Sequence, residues 1–574
     1  MSNEAEVETE QKERTRRGGR RATLFVFVTS GLENMPFIGN AVSLFVYFYG
    51  SMNFSLTKSA TMLTNYMGST FLLSLLGGFV CDTYLSGFRS CVLFGAIEVL
   101  GYAVLATQAF IEHLRPLPCK DDFTLSPNQC EKADSGQVAM LYTGLYLVAL
   151  GGGGMKAAIP SFGADQYDER DPEEAAMIPT YFNWFFFSLV SGALLGCTFF
   201  VWVSTEQGWD WAFAVSTISV LAAVLFLCTG VSFYRHNDPK GSPLTRIAQV
   251  FVVAFRNRNL PLPENAEGFH EIAGNKDGTG TEILKKTDQF TFLDRAAIIR
   301  TPDTSNAGPL SVCTVTQVEE AKVIVRMLPI LVSTIFMNTC LAQHQTFALQ
   351  QANTMDRKVL GIDIPASSIP VIPLFLMFIV LPIYDRICVP ALQKLTGIPT
   401  GIRHLQRIGI GLVLSTIAMV VAGYVETRRK HIAVRHKMVD SPGPLPMSVL
   451  WLGIQYGIFG MADMFTLVGL LNFFYSESSA EMKSLGTSFT WFSSAIGYFL
   501  STLIVNVVDD VSDGWLSSNN LNRDKLNYFY YLLAALSVLN FGFYLLCSSW
   551  YRYKDEGIKA STIDRLHNLE ARVG

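Results

Sequence analysis

Twelve apolar runs, each about 20 residues long, limit what this chain can fold into more than any other feature. They begin near Ala22, Ala60, Ser90, Val138, Pro179, Trp211, Ala321, Ile369, Ile408, Pro446, Ser484 and Leu526. As a helix, a run of that length crosses the hydrocarbon core of a bilayer with every backbone amide bonded inside its own segment. The expected fold class is an all-α membrane protein with twelve transmembrane helices. Composition agrees, since half of the 574 residues are hydrophobic and only 16% are charged, against about 25% in an ordinary soluble domain. The net charge of −4 gives no reason to expect a nucleic-acid partner.

Six runs precede a long polar segment and six follow it. The expected division is an N-terminal tail at 1–21, a six-helix bundle at 22–234, a linker at 235–319, a second six-helix bundle at 320–551 and a C-terminal tail at 552–574. Lys12, Arg14, Arg16, Arg17, Arg20 and Arg21 abut the first run and favour a cytoplasmic N-terminus. An even number of spans then places both tails and the linker in the cytoplasm. No signal-peptide core precedes the first run. Two stretches pull against this orientation. Glu426 to Asp440, read as a loop, falls outside although it carries Arg428, Arg429, Lys430, His431, Arg435, His436 and Lys437. Asp165 to Glu174, rich in acids, falls inside. Six plus six around a central cytoplasmic loop is the plan of major facilitator transporters, whose substrate path lies between the bundles.

Three charges inside the apolar runs stand out: Glu33 in span one, Lys156 in span four and Asp463 in span ten. A lysine at mid-helix costs roughly 2.5–3.5 kcal/mol on insertion scales, so it needs a function and a partner. Gly151 to Gly154, just before Lys156, permit close approach of another helix or a ligand. At about 1.5 Å per residue, Lys156 and Asp463 both lie roughly 26 Å from the outer ends of their helices. Glu33 lies roughly 16 Å from the cytoplasmic end of its own. The depths allow all three to meet in one cavity, and Lys156 and Asp463 are expected to pair across the bundles as a gate. A permanent structural ion pair is the plain alternative. For Glu33 the choice is between a proton carrier and a buried neutral acid.

Asn65, Tyr66, Trp184, His344, Gln345 and Trp491 are candidate cavity residues, each equally able to serve as an interhelical hydrogen bond. The aromatic runs Tyr181–Phe187 and Tyr528–Tyr531 fit a cavity wall or plain packing. Asp82 with Arg89, and Asp385 with Arg386 after span eight, either latch helix ends together or sit in solvated turns. Cys119 and Cys130 share a polar loop and could bridge on an oxidising side. The ten cysteines form no CxxC pair or Cys/His cluster, so neither a metal nor a cofactor is expected. No nucleophile–base pair or phosphate loop suggests an enzyme.

The motifs Thr64-Asn-Tyr-Met-Gly68, Gly77-Gly-Phe-Val-Cys-Asp-Thr-Tyr84, Gly153-Gly-Met-Lys156, Phe162-Gly-Ala-Asp-Gln-Tyr-Asp168, Tyr181-Phe-Asn-Trp184, Phe292-Leu-Asp-Arg295 and His404-Leu-Gln-Arg-Ile-Gly409 carry a resemblance. From about Gly18 to Tyr553 the chain resembles the plant nitrate/peptide transporter family, within the proton-dependent oligopeptide transporter group of the major facilitator superfamily. The resemblance implies alternating access, usually by proton symport. It gives Lys156 the family's span-four lysine and Asp463 its span-ten acid. The family's first-span signature, Glu-x-x-Glu-Arg/Lys, is here Ser30-Gly-Leu-Glu33-Asn34: one acid remains and the base is gone. Coupling through Glu33, uncoupled transport and another gradient all stay open. Where the family's nitrate carrier has a span-seven histidine this chain has Leu341, with His344 three residues on. The span-one and span-four forms look most like the branch carrying hormones such as abscisic acid and gibberellin.

The leading expectation is a transporter for a small organic anion. A nitrate/nitrite or peptide transporter is the alternative within the family, and a transport-inactive membrane sensor the alternative outside it. The plasma membrane is the expected location, the vacuolar membrane the other.

Overall fold

The computed structural model describes residues 17–553 apart from 118–132, 264–268, 271–283, 299–311 and short gaps at 170, 238, 240, 285, 360–361, 364–365, 399, 442, 513 and 517–519. The expected Cys119–Cys130 bridge, Lys12, Arg14 and Arg16 of the basic tail, and the C-terminal tail beyond Tyr553 lie outside the described residues.

All twelve apolar runs are helices. The first group is α1 (Gly19–Val46), α2 (Leu56–Thr83), α3 (Gly87–Phe110), α4 (Ser135–Ala164), α5 (Ile178–Leu195) and α6 (Trp209–Thr229). Helix α7 (Pro243–Arg256) lies between the groups. The second group is α8 (Val315–Asn353), α9 (Val371–Ile383), α10 (His404–Arg435), α11 (Leu450–Glu477), α12 (Lys483–Val511) and α13 (Leu526–Trp550). Among the described residues, eleven helices are long and apolar enough to cross a membrane by length and composition. Helix α1, with Glu33 at its middle, falls outside that set.

Local chemistry marks several helix starts. Ser55 caps α2 by accepting from the Lys58 amide, and the pairs Asp134/Gln137 and Thr314/Gln317 form capping boxes on α4 and α8. Helix α9 passes through a π turn at Tyr384–Cys388 and continues as Val389–Thr396, until Gly397 at φ 71° ends it. Asp385 and Arg386 therefore sit within a continuing helix, not in a turn after span eight. Pro390, which donates no amide hydrogen, is accommodated by the wide turn before it.

Helix α10 also runs further than the hydropathy suggested, so residues 426–435 are helix rather than loop. Arg429 is fully buried there, bound at both ends of Glu426 (2.6 and 2.8 Å) and donating to Thr354 and Asn522. Lys430 donates to the Asp524 carbonyl. These two cations are spent on internal partners, while Arg428, His431, Arg435, His436 and Lys437 are exposed and keep their weight in deciding orientation.

The linker is partly folded. Val250 and Val253 of α7 pack with Leu293, Ala297, Cys313 and Val318 in a small core. Asp294, from the Phe292–Arg295 motif, binds the buried Lys322 at 2.6 Å. The start of α1 and this linker lie at the same end of the molecule, the linker end.

Helix α4 is seated by its glycines. A methyl group on Gly154 would lie 2.1 Å from the Phe94 ring, one on Gly151 2.5 Å from the Glu98 amide, and one on Gly153 2.5 Å from the Thr70 carbonyl. Helices α2, α3 and α4 thus touch backbone to backbone or nearly so. Between the two groups, α2 and α4 pack on α12, and α5 packs on α9 and α11.

Candidate functional site

Lys156 projects from α4 just past that glycine run, where α4 lies against α1 and α12. Its ammonium Nζ donates to Glu33 Oε1 at 3.1 Å, and both side chains are all but completely buried. The same Nζ stands 3.8 Å from the centre of the Phe37 ring, one turn along α1 from Glu33. Trp491 of α12 closes the other side: its indole lies 5.8 Å from Nζ, and its Nε1 donates to the Lys156 carbonyl at 2.9 Å. Thus the lysine's charge is held by the first group while its backbone is held by the second. The expected Lys156–Asp463 bridge is not formed in this conformation. Equal depth in the bilayer brought the two residues to one layer, but Glu33 is the neighbour within reach inside the same bundle.

Asp463 is half-buried on α11. It lies within electrostatic reach of Tyr498, whose hydroxyl donates to Gln345 at 2.6 Å. Phe71 of α2 joins the two regions, stacking on Trp491 at 5.7 Å and tilting against Tyr498 at 5.7 Å. Trp491 and Gln345 therefore belong to one aromatic wall running from Lys156 towards Asp463. The remaining cavity candidates go elsewhere. Asn65 is exposed, on the helical stripe that carries Leu72 and Leu76. Tyr66 is buried within the first bundle, near Glu98. His344 is buried inside the second bundle, stacked at 4.5 Å on Tyr456 and edge-on to Phe459. Trp184 donates to Asp385. Of the aromatic runs, Tyr181, Phe182, Phe185, Phe186, Phe529 and Tyr530 are core.

The linker end is closed by contacts between the groups. Asp82 accepts from the Ser484 and Leu485 amides at 3.2 and 2.7 Å, so it caps the first turn of α12. Asp385 accepts from Asn183 Nδ2 at 2.7 Å and Trp184 Nε1 at 3.1 Å, while Arg386 lies over the Trp184 ring. Arg89 is exposed and apart from these contacts. The acidic stretch after α4 joins the closure: Asp165 accepts from Tyr475 at 2.7 Å, and Glu169 pairs with Lys483. Glu174 instead binds Arg235 at the start of the linker, at 2.6 Å. Arg246 of α7 reaches Glu481 between α11 and α12.

One acid of the site escaped the sequence reading. Glu98, in Ile97-Glu98-Val99 of span three, is wholly buried beside Gly151 and Gly152. The signal for it was present, since a charge inside an apolar run is what marked Glu33.

Two six-helix groups that meet beside a buried lysine have the architecture of a membrane transporter of the major facilitator fold. The chain belongs to the POT family, whose model matches residues 88–519. It is 40% identical over 567 residues to Protein NRT1/ PTR FAMILY 4.6 of Arabidopsis thaliana, covering 95% of this chain and 96% of that one. It is 41% identical over 551 residues to Protein NRT1/ PTR FAMILY 4.5 of the same plant, covering 95% of each. Among solved structures it resembles an auto inhibited POT family peptide transporter, with a TM-score of 0.59 at 17% identity over 93% of this chain and 97% of that chain. It also resembles a POT family transporter in complex with 5-aminolevulinic acid, with a TM-score of 0.58 at 11% identity over 92% and 97%. At those identities the structures speak for the fold alone.

Proposed function

We propose that this transporter carries a small organic anion with an apolar body, a plant hormone such as abscisic acid or gibberellin being the candidate class. It works by alternating access, with Glu33 as the proton site and the linker end facing the cytoplasm. The observation that carries this reading is the Lys156–Glu33 pair set against Phe37, Trp491 and Phe71. One buried cation beside an aromatic wall suits a carboxylate on an apolar frame. An arriving anion must displace Glu33, whose attraction for Lys156 is about 4–5 kcal/mol at an effective dielectric constant of about 20. That is roughly a thousandfold in affinity. Protonating Glu33 removes the competitor, so proton uptake precedes and favours anion binding. Asp82, Asp385, Asn183 and Trp184 act as the latch that must part for release to the cytoplasm.

Asp463 supports a second reading. It makes no ion pair among the described residues and faces the same region, so a zwitterionic peptide could place its carboxylate at Lys156 and its amine at Asp463.

The test is uptake of labelled abscisic acid, gibberellin, nitrate and a dipeptide by oocytes expressing the protein, at about pH 5.5 and 7.5. Uninjected cells serve as the blank for passive entry of weak acids. The anion reading expects hormone uptake that rises at the lower pH and is lost in Lys156→Ala. Dipeptide uptake lost in Asp463→Ala supports the second reading. Nitrate uptake alone, or hormone uptake unchanged in Lys156→Ala, refutes the first.

A further inference from the structure

Glu98 is a second acid in the Lys156 site, and the coupling scheme above leaves it idle. Its side chain is wholly buried, and neither carboxyl oxygen has a hydrogen-bond partner among the described residues. Both acids border Gly152: a methyl group there would lie 3.5 Å from Glu98 Oε1 and 3.9 Å from Glu33 Oε1. The titratable groups that act on it are Glu33 from α1 and Lys156 from α4, with Tyr66 from α2 and Tyr102 from its own helix beside it. Helix α6 meets α3 one turn away, where Val224 packs against Gly95.

Two carboxylates and one ammonium sum to one net negative charge. An uncompensated buried ion costs several kcal/mol, and two carboxylates sharing a site do not both ionise. We propose that Glu98 is a second proton-binding site, holding one proton while Glu33 and Lys156 remain paired. It supplies from α3 the acid that the first-span signature lacks at Ser30. This rests on the proton-coupled reading above and gives it a count. The resting set is neutral, with Glu98 as carboxylic acid, Glu33 as carboxylate and Lys156 as ammonium. A second proton, from the solution, adds to the Glu33 carboxylate and makes it a carboxylic acid. The set then carries one positive charge on Lys156, which the substrate anion neutralises. Departure of the anion and of that proton restores the starting state.

The test needs no substrate, so it stands apart from the transport assay. Infrared difference spectra of the full-length protein in lipid nanodiscs, taken at about pH 7, report the carbonyl stretch of protonated carboxylic acids. The expected result is a band in the wild type that is lost in Glu98→Gln, shifted in Glu98→Asp and weakened in Glu33→Gln, where Glu98 becomes the one carboxyl of the set left to balance Lys156. The Asp variant keeps the acid and covers the case in which Glu98→Gln does not fold. A band that Glu98→Gln leaves intact and Glu98→Asp leaves unshifted overturns the proposal, as does the absence of any such band in the wild type. Failure of uptake for every tested anion, with the band behaving as expected, would refute the substrate assignment and leave the proton site standing.

Discussion

Replacing Asp82 by asparagine removes the charge that holds the start of α12 against α2. In the closed linker end the carboxylate accepts from two amides of the first turn, at 3.2 and 2.7 Å. Those amides have no partner within their own helix and stand at its positive end. A hydrogen bond to a charged group contributes about 1.5–3 kcal/mol net. Water recovers part of this when the groups separate, and asparagine retains one acceptor oxygen. A loss of about 2 kcal/mol is therefore expected, which is about 30-fold in the ratio of closed to open molecules. Cys81, next to Asp82, is a natural reporter. It is buried, and its sulfur accepts from Ser484 Oγ at 3.2 Å in the same interface. With Cys81 as the sole cysteine, an impermeant maleimide applied to inside-out vesicles should label Asp82→Asn about 30 times faster than the parent. Equal rates in two well-folded proteins would refute the idea that this cap holds the linker end shut.

Arg429→Ala strands the buried Glu426 carboxylate and should cost about 3–5 kcal/mol, read as a fall in Tm well beyond that of the exposed Arg523→Ala. Gly154→Ala pushes a methyl group into the Phe94 ring, which lies 2.1 Å from its position. The strain of about 1–3 kcal/mol should reduce the yield of monodisperse protein, and an unchanged yield would contradict the close α3–α4 contact. Burial holds the Asp165 carboxyl above its ordinary range, with Lys483 opposing. An acid raised in the folded state contributes stability below its ordinary value of about 3.9, lost as pH rises through the raised one. Thermal stability should therefore contain a component that falls with pH above about 4 and vanishes in Asp165→Asn.

The spans were legible because each is an apolar run of bilayer length, and Lys156 because a lysine in such a run stands out. Its partner was not legible. Counting residues gives depth along a helix but says nothing of which helices are neighbours, so Asp463 at the right depth was preferred to Glu33 one helix away. Helix ends failed for a related reason. Hydropathy drops at Glu426 although α10 continues to Arg435, because it scores Glu426 and Arg429 as solvated when they are buried against each other. The tyrosine and asparagine named as cavity residues show the same limit: Tyr66 and Asn65 are adjacent in sequence, yet one faces the core and the other the exterior. Glu98 was legible by the rule that found Glu33, and its meaning came only with the glycine that sets the two acids side by side.

The bond from Trp491 to the Lys156 carbonyl has a consequence for leakage. It ties the linker end and the charged pair into one interlock: parting the bundles strips the indole from the lysine and lets water reach it. Hydration weakens every attraction the lysine makes, so an anion held tightly in the closed form is held loosely once the linker end opens. By reciprocity, whatever occupies Lys156 biases the opening by the same factor. A site wired this way would open more readily empty than loaded, so leakage would fall to the empty carrier, because the load and the latch are read by the same tryptophan.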